Sequence, residues 1–188
     1  MINIIGGQFK GKKIRVPIKE VRPTSAKKRE AIFAILESFA LKEGYDLYDN
    51  KCFIDLFAGS GSLGLEAISR GAFFSYFYEV EKKVCEILSK NCQQIINEKK
   101  YQVSLNNILS LKKINISYPL SAIFIDPPYK FSFFNEILLT IINSNILKKN
   151  SFIIIETSKV NVIEIPKQLI KINDKIYGNT KIIFLKLR

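Results

Sequence analysis

Residues Phe53–Leu65, FIDLFAGSGSLGL, carry the pattern that decides the fold. A short apolar run over Cys52–Phe57 leads into a glycine-rich turn, and a helical pattern over Leu63–Arg70 follows it. Gly59, Gly61 and Gly64 satisfy G-x-G-x-x-G, the strand–turn–helix spacing that lets backbone approach a nucleotide-like ligand. The next apolar run, Phe73–Tyr78, ends at Glu79, placed for a bidentate contact with a ribose diol. Both features fit an adenosine-containing cofactor, either a nicotinamide dinucleotide or S-adenosylmethionine. Asp55 separates the two. A carboxylate at that strand end faces a diphosphate poorly, yet suits the ammonium of a methionine moiety or a bound water. It also suits a cap on the loop's own N–H groups.

Beyond this unit the alternation continues. Helix Glu81–Gln94, strand Tyr101–Leu105, strand Ile123–Ile125, helix Phe134–Leu147 and strand Phe152–Glu156 predict a parallel sheet covered on both faces. Leu169–Tyr177 and Thr180–Leu187, joined by Gly178-Asn179, predict a closing antiparallel hairpin. The expected fold is therefore α/β, a doubly wound, mostly parallel sheet with that hairpin at its end. Asn107 follows the third strand, either as a partner for an adenine edge or as a turn residue. Ile108 beside it offers an apolar ring contact. Glu81 either substitutes for Glu79 or opens the following helix.

A second stretch carries chemistry. In Leu120–Lys130, LSAIFIDPPYK, a buried run stops at Asp126, followed by Pro127, Pro128 and Tyr129. The prolines lack N–H donors and fix φ, so the backbone after the acid is stiff. One carboxylate and one carbonyl held in line, with a ring beside them, suit a planar base bearing an exocyclic amine. The alternative is a solvated turn whose tyrosine covers the core.

The chain has 188 residues, with 47% hydrophobic and 24% charged, as in an ordinary globular protein. Lys and Arg number 29 against 17 acids, for a net charge of +12. The first 30 residues hold nine cations and two acids, +7, which leaves +5 for the rest. A basic end on a nearly balanced body points to nucleic acid. Met1–Val16 reads as a small strand pair whose tips carry Lys10, Lys12, Lys13 and Arg15, with Phe9 either stacking on a base or anchoring the hairpin. Pro17–Arg22 is a connector. Ser25 or Thr24 caps a helix that continues to Phe39, with Lys27, Lys28 and Arg29 in its first turn, where the macrodipole disfavours cations. Residues 1–24 are expected to form a basic hairpin and connector, and 25–188 the main domain, in which Leu41–Lys51 is a polar, turn-like break. There is no histidine, which removes the commonest metal ligand and most imidazole acid–base schemes. Three scattered cysteines imply a reducing compartment, Cys85 and Cys92 reading as core. No apolar run approaches ~18 residues, so a cytoplasmic protein without membrane, metal or partner subunit is expected.

The segments NIIGGQFKGKKI, RPTSAKKREAIF, DLFAGSGSLGLEAISRGA, YEVEKK, DPPY and KIYGNTKIIFL occur in this order across nearly the whole chain. Together they resemble the bacterial 16S rRNA guanine-N2 methyltransferases. The resemblance implies a class I methyltransferase fold, S-adenosylmethionine as donor, and a guanine of small-subunit ribosomal RNA, free or in the subunit, as acceptor. It places Asp55, Phe57, Gly59, Ser60, Gly61 and Glu79 on the cofactor motifs, with Asn107 and Ile108 at the adenine. It puts Arg22 and Thr24 on the RPT segment beside the cofactor, and Asp126 to Tyr129 on the catalytic motif. Lys10, Lys12, Lys13, Arg15, Lys27, Lys28 and Arg29 become the RNA contacts. The family usually has aspartate then arginine where this chain has Ala26 and Lys27. A DNA adenine-N6 methyltransferase would use the same loop and acid–proline motif but needs a target-recognition region for which 188 residues leave little room. An NAD-dependent oxidoreductase fits the loop and Glu79 without a catalytic His or Tyr–Lys pair. A non-catalytic RNA-binding protein leaves the acid–proline lip idle.

Overall fold

A computed structural model describes residues 1–17, 25–96, 100–128 and 131–188. Two short strands, β1 (Ile2–Asn3) and β2 (Lys13–Ile14), pair antiparallel. A second sheet contains β3 (Cys52–Asp55), β4 (Phe74–Glu79), β5 (Tyr101–Leu105), β6 (Leu120–Ile125), β7 (Phe152–Ser158), β8 (Leu169–Tyr177) and β9 (Thr180–Leu187). Their order is β5-β4-β3-β6-β7-β9-β8, parallel through β7, with β9 antiparallel to both neighbours. The doubly wound sheet and its closing hairpin are those expected from the sequence.

Both faces of the central strands are apolar. Phe53, Phe77, Phe124 and Ile154 belong to one core, and Ile54, Tyr76, Ile123, Ile125, Ile153 and Ile155 to the other. Strands covered on both sides must be apolar at every position, which explains their unbroken hydrophobic runs. Helices α1 (Ala26–Glu43), α2 (Ser62–Ser69) and α3 (Lys82–Ile95) pack on the phenylalanine face, and α4 (Phe134–Asn143) on the isoleucine face. Phe33 of α1 packs against Phe53 and Phe124, with ring centroids 6.4 and 5.7 Å away, and Phe39 against Phe152 at 6.0 Å.

Two helix ends differ from the sequence expectation by four residues, the others by one at most. Ser25 caps α1, which runs four residues past Phe39 to Glu43, where Gly44 turns the chain. α4 stops at Asn143, four residues before Leu147. There the Ser144 hydroxyl donates back to the Thr140 carbonyl at 2.6 Å and accepts from the Ile114 N–H at 2.8 Å. Local bonds of this kind compete with further helix.

Two-residue strands cannot stand alone, and α2 holds the N-terminal ribbon. Glu66, fully buried, accepts the N–H groups of Ile5 and Gly6 at 2.8 Å each. Phe9 N–H donates to the Ser69 hydroxyl at 2.9 Å, and its ring packs on the core, so Phe9 anchors the ribbon. Ile4 and Ile14 enter the same core.

The chain runs outward from β3 to β5, then returns to lay β6 against β3's other side. The crevice above β3 and β6 is where an open α/β sheet receives its ligand.

Candidate active site

Strand alternation builds a row of carboxylates at this crevice. Phe77, Phe53, Phe124 and Ile154 all belong to the α1–α2–α3 face of β4, β3, β6 and β7. Two residues later, continuing the same alternation, come Glu79, Asp55, Asp126 and Glu156. The ladders set their heights. Asp55 is opposite Phe77 and Phe124, and Phe124 opposite Ile154, so the other three acids stand two residues further along their strands. At about 3.3 Å per residue, Asp55 lies roughly 7 Å deeper. All four line one cavity of about 640 Å³.

Depth decides the electrostatics of Asp55. It is 2% exposed, and burial pushes its carboxyl up to about 8, with the Asp126 charge adding to the rise and Glu79 contributing less. The N–H groups of Phe57 and Gly64 pull the other way. Its Oδ1 is buried with no hydrogen-bond partner among the described residues. Loop N–H groups thus bear on this carboxyl, while its Oδ1 awaits a donor.

Glu79 is treated differently by its surroundings. Its Oε2 accepts the Gly59 N–H at 2.9 Å, and its Oε1 the Val80 and Glu81 N–H groups at 2.8 and 3.0 Å. The carboxylate thus fixes the glycine loop while lining the cavity. Gly61, at φ 83°, begins α2, and a Cβ there would meet Leu88 at 2.4 Å. A Cβ on Gly64 would lie 2.2 Å from the Phe77 ring, so close helix–strand packing requires glycine. Phe57, Gly59 and Ser60 line the cavity, whereas Gly61 shapes the loop from behind it. Ser60 is held from below by Asn91, whose amide donates to its carbonyl at 2.9 Å. The same amide binds Arg15 in both directions, at 3.0 and 2.9 Å, and so ties the ribbon to the loop.

Asn107 lines the cavity and caps a 3₁₀ turn, Ile108–Ser110, by accepting the Leu109 N–H at 3.0 Å. That leaves its NH₂ as the group to offer a ligand. Ile108 itself is buried in the α4-side core, and Leu109 takes the cavity position expected for it, because the turn rotates one residue further. Asp126, Pro127 and Pro128 line the opposite wall with Phe131 and Phe133. The Pro128 carbonyl accepts the Phe131 N–H at 2.9 Å, so of the two prolines Pro127 is the one with a carbonyl to present. Tyr129, Arg22 and Thr24 lie outside the described residues.

Of the seven cations expected to meet RNA, Lys10, Lys12, Lys13, Arg15 and Lys27 are exposed. Arg29 is not. It is 1% exposed and donates to the Asn3 carbonyl at 2.7 Å. Its place was legible: residue 29 shares a helical face with Ile32, Phe33, Leu36 and Ala40. Lys28 also departs from the expectation, turning inward to pair with Glu156 on the cavity wall. Glu156 itself and Asn91 were missed. An acid two residues after Ile154, matching Asp126 after Phe124, was the available signal for Glu156; a polar residue inside an amphipathic helix was that for Asn91. Cys52 and Cys92 are fully buried, burial pushing both thiols up to about 12, and Cys85 is half-buried.

Known proteins bear on this arrangement. The family described as conserved hypothetical protein 95 matches residues 2–186. The chain belongs to that family. It is 39% identical over 167 residues to the ribosomal RNA small subunit methyltransferase D of Buchnera aphidicola (subsp. Acyrthosiphon pisum), covering 88% of this chain and 83% of that one. It is 32% identical over 161 residues to the protein of the same name from Escherichia coli K12, covering 85% and 76%. A solved Escherichia coli structure, provisionally named a methyltransferase, superimposes with a TM-score of 0.82 at 27% identity over 100% of this chain and 98% of that one. The fold is a class I, Rossmann-like one, and the named relatives and solved neighbours together support a methyltransferase.

Proposed function

We propose that this chain transfers a methyl group from S-adenosylmethionine to the exocyclic N2 amine of a guanine in small-subunit ribosomal RNA. The observation that carries the reading is the pairing of two sites in one cavity. A glycine loop clamped by Glu79 adjoins a stiff acid–proline lip at Asp126. The relatives' names, ribosomal RNA small subunit methyltransferase D, support the acceptor class.

The residues fit the donor. The orphaned Oδ1 of Asp55 is a buried acceptor suited to an ammonium group or its water. Glu79, already held by three N–H groups, keeps one of its roughly four lone-pair sites, on Oε2, for a ribose hydroxyl. Val80 and Leu109 supply apolar contact for an adenine ring, and the Asn107 NH₂ an edge donor. When bound, S-adenosylmethionine supplies an electrophilic methyl on a sulfonium.

The chain's own task is to prepare the amine. A guanine N2 lone pair is delocalised into the ring. Hydrogen bonds from its two N–H groups to the Asp126 carboxylate and Pro127 carbonyl orient the nitrogen and favour a pyramidal form. Positive charge grows on that nitrogen during transfer, so Asp126 stabilises the transition state more than the ground state. The surplus proton leaves the methylated amine readily afterward, and Asp126 is its nearest acceptor. Phe131 and Phe133 line the mouth through which an unstacked base enters. The exposed ribbon cations, Lys10, Lys12, Lys13 and Arg15, supply the phosphate contacts.

Label transfer from S-adenosylmethionine to small-subunit RNA, assembled subunits and duplex DNA tests the reading. Incorporation into RNA or subunits is expected; incorporation into DNA alone overturns it.

A further inference from the structure

Glu156 is the member of the carboxylate row that neither the glycine loop nor the acid–proline lip explains. It ends a run of isoleucines on β7, one position past the Ile125–Ile155 pair, and therefore stands beside Asp126. Its side chain is 8% exposed and lines the cavity. Lys28 donates to Oε1, which makes a partly buried ion pair, while Oε2 has no hydrogen-bond partner among the described residues. A carboxylate oxygen buried without a donor is costly, and another isoleucine would avoid that cost. The missing donor belongs to a ligand.

We infer that Glu156 accepts the N1–H of the acceptor base and thereby selects guanine against adenine. This rests on the guanine-N2 reading above. Guanine carries two neighbouring donor groups on one edge, N1–H and the N2 amine. With the amine at Asp126 and the Pro127 carbonyl, N1–H requires an acceptor next to Asp126. Two carboxylates flank Asp126. Asp55 lies about 7 Å deeper, beside the glycine loop, which leaves Glu156. Adenine presents a bare N1 lone pair beside its amine, and that lone pair against a carboxylate is repulsive. Rejection of adenine follows from an unpaired, like-signed contact, the stronger form of discrimination. Entry of the base has to part the wall over Oε2, and Lys28 holds the carboxylate in place as it does so.

The test removes N1–H from the acceptor base. RNA carrying 2-aminopurine at the guanine identified by product mapping keeps the exocyclic amine and lacks N1–H, and because it also has C–H in place of the C6 carbonyl, the Glu156 variants assign the preference. Wild-type protein should prefer guanine by about 10- to 100-fold in kcat/KM, the loss expected when a buried acceptor goes unpaired. Glu156→Gln keeps the shape and can turn an NH₂ toward the bare N1, so its preference should fall at least ~10-fold at unchanged cofactor affinity. If that variant fails to bind cofactor, Glu156→Asp, with the carboxylate drawn back by one methylene, must show the loss of preference instead. Equal rates on both bases in the wild type, or an undiminished preference in the folded variant, overturn the inference. Absence of any methyl on guanine N2 in the wild type removes the underlying reading first, and the inference with it.

Discussion

Glu79 and Glu156 stand at opposite ends of one carboxylate row and are satisfied in opposite ways. Three backbone N–H groups converge on Glu79. Glu156 receives a single lysine on one oxygen, and its other oxygen has no partner among the described residues. The β4 end is complete before any ligand arrives, so it presents a preorganised surface to a cofactor. The β7 end is short of a donor, so it becomes complete only with a ligand that brings one. Asp55, between them and deeper, shares both traits, with one oxygen near loop N–H groups and one orphaned.

If the two ends act separately, variants at each should damage different constants. Asp126→Ala should leave the cofactor Kd within about twofold and lower single-turnover methyl transfer by about 10²–10³-fold, as removal of a charged transition-state partner does. Stopped-quench rates beside a cofactor titration measure both. Glu79→Ala should invert the pattern, weakening cofactor binding by roughly 10- to 100-fold because a charged acceptor and the loop's order disappear together. Its transfer rate at saturating cofactor should stay within a few-fold of wild type. Equal damage to both constants in either variant would erase the division.

Asp55 extends the contrast through pH. Its folded carboxyl titrates at about 8, above the ordinary carboxylate value. Between those values the folded chain holds a proton that the unfolded chain has lost, so this group's contribution to stability falls as pH rises through the window. Thermal unfolding from pH 5 to 9 should show a declining Tm that Asp55→Asn flattens. Near pH 7 a cationic cofactor beside Asp55 should expel that proton, making the binding enthalpy depend on buffer ionisation heat, and Asp55→Asn should reduce that dependence. The smallest effects belong to the ribbon. Replacing Lys10, Lys12 or Lys13 singly with Ala should weaken RNA binding a few-fold and reduce its log–log salt slope by about 0.7 for each phosphate that is no longer neutralised, with cofactor affinity unchanged.

Much of the β4–β3 end is legible in the sequence because glycine spacing and a strand-ending acid are local signals. The Asp126 lip is equally local, since prolines declare their stiffness without tertiary help. The β7 end is less so. An acid ending a strand usually means solvent, and only its registration beside Asp126, with Lys28 arriving from α1, makes Glu156 a cavity wall. Charge alone likewise says nothing of burial, as Arg29 demonstrates: its helical phase outweighs its guanidinium, and the Asn3 carbonyl and nearby Glu66 accommodate it. Ile108 and Leu109 differ by one residue in a single-turn 3₁₀ helix, too short for periodicity to choose which faces the ligand. The ribbon's attachment through Glu66 and Asn91 joins residues about 60 to 76 positions apart, beyond any local pattern.

Complete digestion of methylated small-subunit RNA to nucleosides, with mass identification of the product, decides the acceptor chemistry. N2-methylguanosine is the expected new nucleoside, formed about 10²–10³-fold more slowly when Asp126→Ala replaces the wild type. A methyl group found on adenine N6, or undiminished N2-methylguanosine from the variant, would refute the role given to the acid–proline lip.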